Sequence, residues 1–69
     1  MDRLWFNHSA DRWAIGQRDL HCGDCFQIHN RETGAWADTR IEMSRKQWYL
    51  VDLSPSLPDH YAGELARFY

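Results

Sequence analysis

The sequence predicts a small all-β domain, and three observations predict it. Apolar stretches are short and broken by turn residues at intervals of about 8–12 positions, the spacing of sandwiches and barrels. Asp24–Asn30 and Ala35–Met43 alternate with the period of two expected of half-buried strands. Trp48–Leu53 is a block of aromatic and β-branched residues, which favour a pleated surface. A chain of 69 residues forms one domain, spanning 1–69. At this size only about 60% of the unfolded surface is buried, so the sheet must curl or close to shelter one face and remove its edges. A small antiparallel barrel of roughly five or six strands, SH3-like, with one short helical turn near the C-terminus, satisfies both demands.

In chain order, Arg3–His8 reads as the first strand and Ser9–Asp11 as a turn. Arg12–Gly16 returns as the second strand, ended by Gly16, and Gln17–Gly23 reads as a connecting loop. Asp24–Asn30 places Phe26 and Ile28 on one face and Cys25, Gln27 and His29 on the other. Arg31–Gly34 is a hairpin loop in which Gly34 supplies a positive φ. Ala35–Met43 continues with Trp36, Asp38, Arg40 and Glu42 on one face and Ala35, Ala37, Thr39, Ile41 and Met43 on the other. Ser44–Gln47 is a polar turn before the Trp48–Leu53 strand. Pro55 and Pro58 exclude a central ladder over the next stretch, leaving a loop with a helical turn near Asp59–Tyr61. Glu64–Tyr69 is too short for a stable helix and reads as a closing strand.

Two cysteines allow at most one disulfide, far below the density of a secreted scaffold. With no signal-peptide pattern at the N-terminus and no apolar run of about 20 residues, the expectation is a cytoplasmic protein with reduced thiols and no membrane span. Cys22-x-x-Cys25 with His29 offers a partial zinc set, but a structural zinc needs four ligands. A redox pair requires a helix N-terminus in a βαβ setting, whereas this pair precedes a strand. The segment reads instead as a turn at Gly23–Asp24 leading into a strand, with Asp24 bonding nearby backbone and the thiols packing as small hydrophobes. No metal and no cofactor are expected.

Catalytic signatures are equally thin. The sequence contains no Gly-x-Ser-x-Gly elbow, phosphate loop or His-Glu-x-x-His pattern. Asp38 and Glu42 flank Arg40 on one strand face, where cross-strand ion pairing is the simpler reading. The expectation is a non-enzyme.

The net charge of −2 argues against a general nucleic-acid binder. Four tryptophans and seven arginines crowd a domain with a thin core. Trp, Tyr and Arg dominate binding hot spots, so composition points to a protein-binding surface. The competing reading has the tryptophans capping the open ends of the barrel. Candidate contacts are Trp5, Trp13, Arg18, Arg31 and Arg45. A platform of Trp36, Arg40 and Trp48 on one face would instead suit a single-stranded nucleic acid. A homodimer pairing exposed edge strands is a third possibility.

The landmarks "RWAIG", "LHCGDCFQI", "W..TRIEM", "WYLV" and "G.LARF" occur in this order between Arg12 and Phe68. In them the chain resembles a family of short bacterial domains of unknown function, met especially in phages and mobile elements. It departs from the family pattern at Asp11, where glycine is usual. The resemblance implies no activity. Its setting extends the protein-binding expectation to an inhibitor of a host defence complex, of the anti-CRISPR kind.

Overall fold

Short hairpins build most of this molecule, because each turn is written in its own residues. The computed structural model describes residues 2–69. The first hairpin joins β1 (Leu4–Asn7) to β2 (Arg12–Ile15). Asn7 folds the loop between them, its Oδ1 accepting the Ser9 N–H at 3.1 Å. Asp11 closes the loop with φ at 55°, in the left-handed region where glycine is least strained.

β2 turns through Gly16 into β3 (Arg18–Asp19), a two-residue strand inside the stretch expected to be a loop. A side chain could not replace Gly16's hydrogen: φ is 60°, and a Cβ there would lie 2.7 Å from Asp2 Cγ.

The second sheet grows from the hairpin of β4 (Cys25–His29) and β5 (Trp36–Ser44). Asn30 Oδ1 accepts the Glu32 N–H at 2.9 Å, which nucleates the loop between them. β5 then turns through Arg45 and Lys46 into β6 (Gln47–Leu50). Both turn residues hold positive φ, 51° and 66°, as a two-residue type I′ turn requires, but without its usual Asn-Gly. β6 stops at Leu50, earlier than the expected Leu53, because Asp52 takes φ 64° and redirects the chain. A single 3₁₀ turn, Pro58–Tyr61, falls where a helical turn was expected. The closing strand is shorter than Glu64–Tyr69: β7 is Ala66–Arg67 and pairs with β4.

Among the described residues the fold is all-β, with seven strands in two antiparallel sheets. One has the order β1-β2-β3; the other, β6-β5-β4-β7, is a curled half-barrel. Arg3 bridges Leu65, so the start of the chain joins the sheets near its end. Arg12 ties them elsewhere, donating to the Leu20 carbonyl at 3.1 Å and placing its guanidinium 6.0 Å from the Trp48 ring.

The core is the inner face of both sheets: Leu4, Trp13, Ile15, Leu20, Phe26, Ile28, Ile41, Leu50 and Ala66. Each large side chain enclosed here contributes roughly 1.5–3 kcal/mol. Thr39 is the buried polar exception, and its hydroxyl donates to the Val51 carbonyl at 2.8 Å. The faces of β4 and of the centre of β5 are those read from the alternation, with Phe26, Ile28, Thr39 and Ile41 inside. No helix among the described residues is long and apolar enough to cross a membrane.

Candidate binding surface

The outer face of the half-barrel is assembled by register. β4 and β5 align His29 with Trp36, Gln27 with Asp38 and Cys25 with Arg40. β7 aligns Arg67 with Gln27 on the far edge of β4. Directly opposed residues on antiparallel strands point to the same side. His29, Trp36, Gln27, Asp38, Cys25, Arg40 and Arg67 therefore share one face.

Their side chains interlock. Arg67 Nε donates to Gln27 Oε1 at 2.8 Å, and Gln27 Nε2 donates to Asp38 Oδ1 at 2.7 Å, a relay across three strands. The Arg67 guanidinium lies 3.9 Å from the Trp36 ring centroid, a close cation–π contact. His29 flanks the same indole, with centroids 5.0 Å apart. Trp36 is thus held half-buried in one orientation. Arg40 Nε pairs with Glu42 Oε2 at 2.9 Å along β5 rather than across strands. Tyr69, 72% exposed, lies beside Cys25 and Asp38; desolvation and then the charges of these neighbours hold its phenol above the usual tyrosine range.

The structure disposes differently of each residue expected at a binding site. Trp5 is 42% exposed on β1, its indole N–H donating to the Gly16 carbonyl. Trp13 is a correction: at 6% exposure it belongs to the core, edge-on to Phe6, and its ring cannot meet a partner. The Trp36–Arg40–Trp48 platform is a second correction. Trp36 and Arg40 share the outer face, but Trp48 opposes Met43 and so points to the inner side, where it packs on the core. Arg18 rests its guanidinium 4.1 Å from the Phe68 ring. Arg31 is tied to Glu64. Arg45 stands exposed at the β5–β6 turn.

The cysteine segment is a turn, as expected. Asp24 Oδ2 accepts the His21 N–H at 2.8 Å, and Gly23 N–H donates to Ile41. The thiols do not pack inward, however: Cys22 and Cys25 are free and exposed. Cys25 and His29 share a face but stand four residues apart on a strand, about 13 Å, too far to hold one ion. Among the described residues no three His, Cys, Asp or Glu side chains converge as a metal set.

Gln27, His29, Arg67 and Tyr69 lie on or beside this face although the sequence does not mark them as contact candidates. The loop Asn30–Ala35 fixes the His29–Trp36 pair, so His29 could have been found from the hairpin. Arg67 could not, since only long-range pairing brings β7 beside β4.

The chain belongs to the family described as the domain of unknown function DUF5348, which it matches over residues 2–63. The matched span takes in β1, ahead of the Arg12–Phe68 landmarks, and stops short of β7. No curated protein and no solved structure matches the chain.

Proposed function

We propose that this DUF5348 domain is a non-catalytic protein-binding module whose contact surface is the outer face of β4, β5 and β7, centred on Trp36. The observation that carries the reading is the fixed indole of Trp36, braced by both the His29 ring and the Arg67 guanidinium. An aromatic–arginine pair already held in one orientation loses little freedom on binding, which is what makes such residues hot spots. The scaffold is read as a small SH3-like barrel, its two sheets joined through Arg3 and Leu65. Two cysteines, far below the density of a secreted scaffold, support a reducing, cytoplasmic setting. An inhibitor of a host defence complex, carried by a phage or mobile element, is one case of such a module.

The test is affinity capture with the full chain, read by mass spectrometry. A stoichiometric protein partner is expected, lost in Trp36→Ala and in Arg67→Ala but kept in Arg45→Ala, with folding checked by circular dichroism. Recovery of nucleic acid without protein overturns the reading.

A second reading, binding of a single-stranded nucleic acid, is favoured by Trp36, His29, Arg40 and Arg67 sharing one face. Asp38 and Glu42 on that face, with the net charge of −2, weigh against it. Oligonucleotide titration at two salt concentrations separates the two, because phosphate contacts weaken steeply with salt.

A further inference from the structure

β5 is nine residues long, and its two halves are paired on opposite edges: Trp36–Arg40 with β4, Ile41–Ser44 with β6. The Ile41 N–H donates to Asp24, and its carbonyl accepts from Gly23, both on the β4 side. Strand geometry turns the backbone groups of Thr39 and Ala37 the same way and those of Arg40, Asp38 and Trp36 the opposite way. The Arg40 carbonyl accepts the Val51 N–H at 3.0 Å. There β6 has ended, and Asp52 swings the chain away. Beyond that point the backbone N–H and C=O of Asp38 and Trp36 have no partner among the described residues.

A cleft of about 650 Å³ opens beside this edge, lined on its apolar side by Ile28, Ala37, Leu53 and Tyr61. Glu32 and Asp52 also line it, while Arg31 is engaged by Glu64. The cleft is therefore acidic, and Asp38, whose carboxylate accepts from Gln27, adds an exposed negative charge on the outer face of the strand.

We infer that the Trp36–Asp38 edge accepts an extended, basic segment of a partner protein as an added strand, a proposal that rests on the protein-binding reading above. Unpaired N–H and C=O groups alternating along an edge match an extended backbone and nothing more specific. The cleft supplies the rest. Alternate side chains of the added strand enter toward Ala37 and Leu53, and the intervening ones lie beside Trp36 and Asp38 on the outer face. Lysine or arginine there meets Asp38 on the outer face, and the acidic cleft wall of Asp52 and Glu32 disfavours an anionic segment. A second copy of the chain is a poorer occupant, because it would bring an identical acidic cleft and Asp38 carboxylate to the same seam.

The probe is a blocked hexapeptide of alternating lysine and valine, with a glutamate–valine peptide as its counterpart. Amide hydrogen exchange and chemical shifts of the full chain are read by NMR. The expected result is protection of the Trp36 and Asp38 amides by the lysine peptide alone. Asp38→Pro removes the edge N–H, and an open edge tolerates proline. It is expected to weaken the peptide by about tenfold or more relative to Asp38→Ala, which lacks the same carboxylate but keeps the N–H.

Equal binding of the glutamate peptide overturns the proposal, as do shifts centred on another strand or equal affinities of the two variants. So does concentration-dependent protection of these amides without peptide, which identifies a second copy as the occupant. A captured partner kept by Asp38→Pro but lost by Trp36→Ala overturns strand addition and leaves the binding module standing. Should Asp38→Pro fail to fold, the two-peptide comparison on the unaltered chain decides.

Discussion

In the three-stranded sheet β2 buries Trp13, Ala14 and Ile15 in succession, whereas in the half-barrel β4 and the centre of β5 alternate enclosed residues with outward-facing ones. β2 has strands on both edges, and Ala14 lies between Trp5 and Asp19 in register. Asn7 donates to Asp19 at 3.1 Å, joining the outer strands of that sheet. The half-barrel leaves its outer face open and fills it with a polar and aromatic relay. A tryptophan's meaning is therefore set by the face it occupies: Trp13 on an inner face is structure, and Trp36 on the outer face of the half-barrel is surface.

The largest effect tests that contrast directly. Trp13→Ala should remove about 3–5 kcal/mol of stability, as for a large aromatic lost from a core. Trp36→Ala should remove only about 1 kcal/mol, mainly its cation–π contact. Urea unfolding of both variants measures the difference, and equal losses would break the comparison.

Next comes Gly16→Ala in the three-stranded sheet. A positive φ combined with a Cβ pressed on Asp2 should cost about 1–3 kcal/mol, partly recovered when Asp2→Ala is added. The half-barrel's own tight turn should respond in the other sense. Arg45→Asn with Lys46→Gly supplies the residues that a type I′ turn favours and should raise stability by about 1 kcal/mol. An increase accompanied by weaker partner binding would show that Arg45 is kept for contact and not for folding.

The smallest effect concerns Tyr61, whose hydroxyl donates to the Pro55 carbonyl at 2.6 Å. Desolvation raises its pKa in the folded chain above the ordinary 10.0. The phenol is protonated in both states below about pH 10, so its contribution is then fully present. Above that the unfolded chain ionises first, and stability falls until the folded pKa is passed. Thermal melts of Tyr61→Phe across this range should lack that part of the alkaline decline.

Much of the fold was legible because its signals are local. Phe26 and Ile28 alternate with Cys25, Gln27 and His29 whatever lies beyond them, and Gly34 marks the loop, while Asn30, which reads as the end of the strand, folds that loop instead. β3 was missed because Arg18–Asp19 has no apolar alternation and is a strand only through its pairing with β2. Val51–Leu53 was read as strand from composition, but Asp52 bends the backbone there. The site was less legible than the fold. Trp48 and Trp36 have the same chemistry and part company only through register, since a shift of one residue exchanges the faces of a strand.

The sequence by itself determined the all-β character, the hairpin turns and the inner faces of β4 and β5. Each depends on residues near one another in the chain, through alternation and the backbone preferences of Gly, Asn and Asp. Tertiary structure alone decided that Arg67 covers Trp36, that Trp13 is enclosed and that β5 keeps an unpaired stretch at Trp36–Asp38. Those outcomes depend on which distant strands pair, and pairing partners are chosen by closing the core, not by any neighbouring residue.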